Sequence, residues 1–302
     1  MSAAIQVEDL HVAYKGKQGK RTEAVRGLSF VVAPGEVVGF LGPNGAGKSS
    51  TLKALMGFVA PVSGECRIFD LEAGSLEAKA RIGYLPEVAL YYPFLTAYET
   101  LRLYGELEGL RGNELKKQAK DLLALVGLEQ AMNKQNRTLS KGMLQRVGIA
   151  QSLLGNPELL ILDEVTSGLD PVGRKELREI LKAKQQQGTT LFFSSHELAE
   201  VDMLCDRILI VHKGQLVEER DMRSLKEDLR NYTVAYRGDA NLLGLTENWV
   251  EEGGVKKARF TEKQGLLEAI VRIQSSGAQI VDIVSQEGSL EEYFVETIGR
   301  AA

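Results

Sequence analysis

Eight residues carry the densest chemistry in the chain: Gly42-Pro43-Asn44-Gly45-Ala46-Gly47-Lys48-Ser49 fits the spacing G-x-x-x-x-G-K-[ST]. A short apolar run, Val37 to Leu41, leads into them, and a helical pattern, Ser49 to Phe58, leads out. That setting separates a phosphate-binding loop from an incidental glycine turn beside a lysine. Backbone N–H groups of such a loop can curl around phosphate oxygens, and the helix start adds its positive end. Lys48 is expected to reach the β- and γ-phosphates of a nucleotide and the Ser49 hydroxyl to bind Mg²⁺, with Ser50 completing the loop. A second cluster, Asp163-Glu164, closes the apolar run Leu159 to Leu162. A buried strand there delivers Asp163 to a Mg²⁺ shell. It leaves Glu164 where a carboxylate can accept a proton from, or polarise, a water attacking phosphorus. A strand ending in solvated charges is the plain alternative; the phosphate loop upstream decides for chemistry.

Short apolar runs alternating with helical-period segments predict an α/β fold with a parallel sheet flanked by helices. Strands are expected at Val37 to Leu41, Leu159 to Leu162 and Thr189 to Ser195, and helices at Ser49 to Phe58, Glu114 to Val126, Lys141 to Leu154 and Pro171 to Gln186. Asp170 before Pro171 is a natural cap for the last of these. Near Arg220 the character changes: Asp221 to Arg230 holds six charges in ten positions and reads as a solvated helix or linker. A strand at Tyr232 to Tyr236, a helix at Glu262 to Ile273, a strand at Gln279 to Val284 and a helix at Leu290 to Ile298 follow. We therefore place a boundary at 220/221, with residues 221–302 forming a small α+β domain.

At 302 residues, 44% hydrophobic and 26% charged, the chain can bury a sizeable core. Its net charge of −4 gives no bulk attraction for nucleic acid, so no nucleic-acid partner is expected. Two cysteines, Cys66 and Cys205, are too few for a disulfide scaffold and fit a reducing compartment. The opening residues show no basic n-region before an apolar one, so no secretory signal is expected. Charge-free runs such as Val88 to Tyr98 fall short of the roughly 18 apolar residues a membrane helix needs.

Further short motifs stand in order around the two clusters. Tyr14 lies in LHVAYKG before the loop, and Glu87 ends Gly83-Tyr84-Leu85-Pro86-Glu87. Then come Leu139-Ser140-Lys141-Gly142-Met143-Leu144-Gln145-Arg146, Ser167-Gly168-Leu169-Asp170, and His196 after LFFSS. In this order they resemble the ABC ATPases, whose signature motif is usually L-S-G-G-Q. The resemblance implies a P-loop NTPase of ABC type, with a parallel sheet core, an antiparallel β subdomain and a helical subdomain. It implies ATP and Mg²⁺ as ligands, with Tyr14 stacking on adenine and Gly42 to Ser50 holding the phosphates. Ser49, Asp163 and Glu87 would serve the metal, and Lys48, Glu164 and His196 the reaction. It implies a head-to-tail dimer, homo- or heteromeric, in which Ser140, Gly142 and Asp170 face the other copy's nucleotide. Ser140 also reads as a plain helix cap, and the two readings do not compete.

Departures from the family pattern are Lys141 and Met143 in the signature motif, Glu87 where glutamine is usual, and Val165 where proline is usual. Lys141 either adds a cation near the partner's γ-phosphate or faces solvent, solvent being the preferred reading. His11 and His212 are read as structural. Lys15, Lys17, Lys20 and Arg21 read as a solvated turn, with anionic lipid a minor option. The stretch Val88 to Tyr98 is the most aromatic in the chain, and Tyr91, Tyr92 and Phe94 are expected to receive a membrane subunit.

The function so implied is ATP hydrolysis powering export through separate permease subunits, from a cytoplasmic, peripheral position on the inner face of the membrane. Export rests on the ending Gly288 to Gly299, which resembles the C-terminal domain of bacterial ABC-2-type exporter ATPases. The alternative is a soluble ABC ATPase acting on nucleic acid or a protein assembly. About 90 residues without a sustained heptad pattern between Lys48 and Leu139, and a single cassette, weigh against it.

Overall fold

The computed structural model describes residues 3–15, 21–88, 90–195, 197–240, 242, 244–246, 249–286 and 288–301. The chain divides into two compact units, 1–219 with 297–302, and 220–296. The division falls inside the terminal helix Leu290–Arg300, and residues 297–302 group with the first unit.

In the first unit the order is β1 (Ile5–Lys15), β2 (Arg21–Val32), β3 (Val37–Leu41), α1 (Lys48–Leu55), β4 (Ser63–Ile68), β5 (Leu71–Glu72), α2 (Leu76–Lys79) and β6 (Ile82–Leu85). Then follow α3 (Ala97–Leu107), α4 (Gly112–Leu125), α5 (Lys141–Ser152), β7 (Leu159–Asp163), α6 (Pro171–Gln186), β8 (Thr190–Ser195), α7 (Leu198–Leu204), β9 (Arg207–His212) and β10 (Gln215–Asp221). Two sheets result, an antiparallel one of order β2-β1-β4-β5 and a six-stranded one of order β10-β9-β3-β8-β7-β6. Strands β9, β3, β8, β7 and β6 run parallel to one another. β3, β7 and β8 are buried along their whole length, which is why they read as unbroken apolar runs rather than alternating ones.

Three rings join the sheets. Phe30 of β2 stacks on Phe192 of β8 at 5.5 Å between centroids, and both touch Phe40 of β3, at 5.8 and 5.3 Å. Each such pair adds about 0.5–1.5 kcal/mol beyond simple burial. The three helices α3, α4 and α5 lie between β6 and β7 in sequence and pack on one another. A capping box starts α3: the Thr96 hydroxyl accepts from the Glu99 N–H, and the Glu99 carboxylate accepts from the Thr96 N–H.

The antiparallel sheet is the β subdomain that the family resemblance implies, although no strand pattern places its members. β1 carries register shifts around Asp9, whose φ is +44°, and these bulges break the alternation that marks a strand.

The second unit holds α8 (Met222–Asp228), β11 (Asn231–Arg237), β12 (Trp249–Glu252), β13 (Val255–Phe260), α9 (Lys263–Ser275), β14 (Gln279–Gln286) and the start of α10 (Leu290–Arg300). Its antiparallel sheet has the order β12-β13-β11-β14. α9 covers it through Leu266, Ala269 and Ile273, packed with Val234, Ala258 and Phe260. The segment read as helix or linker is the helix α8, with the Asp221 carboxylate accepting from the Arg223 and Ser224 N–H groups. The β12–β13 hairpin was not anticipated, although Gly253 and Gly254, at φ +59° and +72°, supply the two left-handed positions of a tight two-residue turn.

Candidate functional site

The phosphate loop leaves the end of β3 and becomes α1 at Lys48. Gly47 occupies φ +106°, and a Cβ there would stand 2.5 Å from the Ala24 carbonyl oxygen, so only glycine fits. A cavity of about 240 Å³ opens at the loop, lined by Ala24, Pro43, Asn44, Gly45, Ala46, Gly47, Lys48, Ser49, Ser50, Glu87 and Glu164. Lys48 is buried, and its ammonium donates to the Gly42 carbonyl at 2.6 Å and the Pro43 carbonyl at 3.4 Å. Burial pulls the Lys48 pKa below the ordinary lysine range, while the charges of Glu164, Asp163 and Glu87 oppose the fall. A larger cavity, about 920 Å³, lies elsewhere in the first unit beside Ala54, Gly64 and Ser75. Its charged Arg67 and Glu65 pair with each other at 2.6 Å, and it brings together none of the residues singled out for chemistry.

β7 delivers the acids as expected. Asp163 ends the strand at 4% exposure, opposite Ser194 of β8. Glu164 turns out of the strand through a left-handed φ of +52°, uncommon for a residue with a side chain, and thereby reaches the cavity. Ser194 was not foreseen: its hydroxyl donates to Asp163 Oδ1 and accepts from the Glu164 N–H. A pair of serines ending a strand of otherwise apolar character was the available signal. Tyr14 sits against the loop helix, its hydroxyl donating to Ser50 Oγ at 3.2 Å with the ring partly exposed.

Ser140, Gly142 and Asp170 do not line this cavity. Ser140 caps α5, its hydroxyl accepting from the Met143 N–H at 3.2 Å, and Asp170 caps α6 through the Gly173 N–H at 2.8 Å. α5 is nonetheless tied to the loop that follows Glu164. Gln145 donates from within the core to the Val165 carbonyl at 2.9 Å, a contact that sequence reasoning missed. Lys141 is exposed but not free in solvent: a Cβ on Gly168 would meet three successive carbons of its stem at 3.0–3.2 Å.

Residues 25–167 match the ABC transporter family. The chain is 40% identical to the linearmycin resistance ATP-binding protein of Bacillus subtilis, with 98% of each chain covered. It is an ABC transporter ATP-binding protein. The bacitracin transport ATP-binding protein of Bacillus licheniformis is 37% identical over 99% of this chain and 98% of its own. A fluoroquinolones export ATP-binding protein of Mycobacterium tuberculosis is 36% identical over 92% and 88%. Among solved structures, a dimeric ATP-binding cassette in a post-hydrolysis state with ADP and Pi has a TM-score of 0.68 at 26% identity, covering 72% of this chain and 99% of its own. The ATP-binding subunit of an ABC transporter has a TM-score of 0.67 at 31% identity, covering 74% and 92%.

As an ABC ATPase the protein binds and hydrolyses ATP, and subunits of this kind dimerise and work with membrane permeases. Among the described residues no helix is long and apolar enough to cross a membrane. His196, expected to serve the reaction, lies outside the described residues, as do Lys17 and Lys20 of the basic turn. Magnesium fits the site: the Ser49 hydroxyl and the Asp163 carboxylate are the hard oxygen donors it takes. Among the described residues no group of three or more His, Cys, Asp or Glu gathers into a self-contained metal cage. A cation relying on phosphate and water for most of its ligands needs none.

The aromatic stretch divides. Tyr92 and Phe94 are exposed, with rings 5.6 Å apart. Tyr91 is half-buried and lies edge-on to Tyr104 at 5.9 Å, and burial pushes its hydroxyl pKa up.

Proposed function

We propose that this protein is the ATP-hydrolysing subunit of an exporter, working as a head-to-tail dimer with two shared ATP sites. One observation carries the reading: Lys48, Ser49 and Glu164 meet in one cavity, while Ser140, Gly142 and Asp170 of the same chain lie outside it. A helix start with nothing of its own to bind is what a composite site requires.

In each site Gly42 to Ser50 hold the phosphates and Tyr14 stacks on adenine. Lys48 offsets charge on the β- and γ-phosphates. Glu164 holds the attacking water in line and accepts its proton, and His196 completes the contact with the γ-phosphate. Magnesium would be held by Ser49 and Asp163 with Glu87 alongside, and supplies neutralisation of charge across the phosphates. Ser140 and Gly142 present the α5 N-terminus to the other copy's nucleotide. The subunit sits at the inner face of the membrane through its permease.

Glu164→Gln tests the scheme. The variant should bind ATP, hydrolyse it far more slowly and accumulate as an ATP-bound dimer in sedimentation. Hydrolysis at the parent rate would refute the role of Glu164. Hydrolysis by a strictly monomeric protein, at a specific rate indifferent to dilution, would refute the composite site. Tyr92 and Phe94 are the proposed permease contacts, so Tyr92→Ala with Phe94→Ala should leave ATP binding intact while uncoupling transport. Loss of nucleotide affinity would assign them to packing.

A further inference from the structure

We infer that Ser194 is a positioning residue for hydrolysis, a single hydroxyl that orients both acids of the site. The inference rests on the assignment of Asp163 to magnesium and Glu164 to water. β7 and β8 pair in parallel with Asp163 opposite Ser194, so the serine stands beside the point where the chain leaves the strand. Ser194 is fully buried. Its Oγ donates to Asp163 Oδ1, and the same Oγ accepts from the Glu164 N–H at 3.3 Å. The Ser194 carbonyl accepts from that N–H as well, at 3.2 Å.

A buried hydroxyl must find partners somewhere, and a structural serine finds them in the backbone. This one spends its proton on the acid assigned to the metal. Taking up Oδ1 fixes the Asp163 rotamer and leaves Oδ2 for the cation or its water. Holding the Glu164 N–H anchors the left-handed turn, at φ +52°, that swings the Glu164 side chain off the strand and into the cavity. Partners that hydrogen-bond a metal-binding carboxylate are typically worth 10- to 100-fold in metal affinity or activity when lost.

The test uses the full chain and Mn²⁺ as a spectroscopic probe. Ser194→Ala should bind ADP without metal as the parent does, yet lose about 10-fold or more in Mn²⁺ affinity in the ADP complex, read by electron paramagnetic resonance. Ser194→Cys keeps the shape but donates weakly, so it should fall with the alanine variant. Thermal melts confirm that each variant is folded. Mn²⁺ affinity within twofold of the parent in Ser194→Ala overturns the inference. So does Ser194→Cys behaving as the parent while Ser194→Ala fails, since volume alone then matters. An equal loss of metal-free ADP binding also overturns it, because that marks a packing defect. Asp163→Asn separates the levels: if it leaves Mn²⁺ affinity unchanged, the metal assignment itself fails and this inference with it. If Asp163→Asn loses the metal while Ser194→Ala keeps it, only the inference about Ser194 fails.

Discussion

Replacing Gln145 by leucine shortens the side chain by one atom and removes one hydrogen bond. In the parent, the Gln145 amide donates to the Val165 carbonyl at 2.9 Å, at 6% and 2% exposure respectively. Leucine can donate nothing, so the carbonyl remains buried without a partner, which costs about 1–3 kcal/mol. With a urea dependence of about 3 kcal/mol per molar for a chain of this size, 2 kcal/mol lowers the midpoint by about 0.7 M. Urea unfolding followed by far-ultraviolet circular dichroism, with the slope compared between variants, measures it. The functional effect has a distinct signature, because Gln145 ties α5 to the loop one residue beyond Glu164. ADP affinity of the isolated subunit should hold, since Gln145 does not line the cavity. kcat should fall by about 10- to 100-fold as Glu164 drifts from the water it must hold. A midpoint shift below about 0.2 M at unchanged slope, or a loss of ADP affinity equal to the loss of kcat, would refute the reasoning.

Gly47→Ala places a Cβ 2.5 Å from the Ala24 oxygen in a left-handed backbone, so ATP binding should weaken by at least about 10-fold in equilibrium titration while the circular dichroism stays native. Arg178 donates to both oxygens of Glu200, which is 4% exposed. Arg178→Met strands that carboxylate and should destabilise by about 3–5 kcal/mol, and Arg178→Met with Glu200→Met should recover most of the loss in denaturant melts. Glu108 is exposed as a whole residue, yet burial of its carboxyl raises the pKa from 4.5 to about 7. A carboxyl raised on folding stabilises while protonated, fully below 4.5 and progressively less as pH rises through 7. Glu108→Gln should therefore flatten the fall in melting temperature between pH 5 and pH 8; parallel curves for parent and variant would refute the shift.

What the sequence made legible was local. The phosphate loop and the two acids are contiguous motifs whose flanking runs announce a strand or a helix within a few residues. The antiparallel sheet followed from the family resemblance, but its strands could not be placed by alternation because bulges interrupt β1. Contacts across the fold were hidden for a different reason. Nothing in LFFSS says which strand lies beside it, so the pairing of Ser194 with Asp163 had to come from the sheet. Tyr91 could not be told from Tyr92 because an irregular loop has no period to assign inward and outward faces. The β12–β13 turn carries a local signal, Gly253-Gly254, two adjacent glycines that take left-handed backbone.

The parallel alignment of β3, β8 and β7 also sets how much indel change this part of the molecule can absorb. Leu41 stands beside Ser195, and Ser194 beside Asp163, so three strand ends finish level with one another. Successive residues of a strand show opposite faces. Inserting one residue in β8 ahead of Phe193 would bring that phenylalanine opposite Asp163 and carry Ser194 to the far side of the sheet. The lengths of these three strands are thus constrained together by the register of their ends.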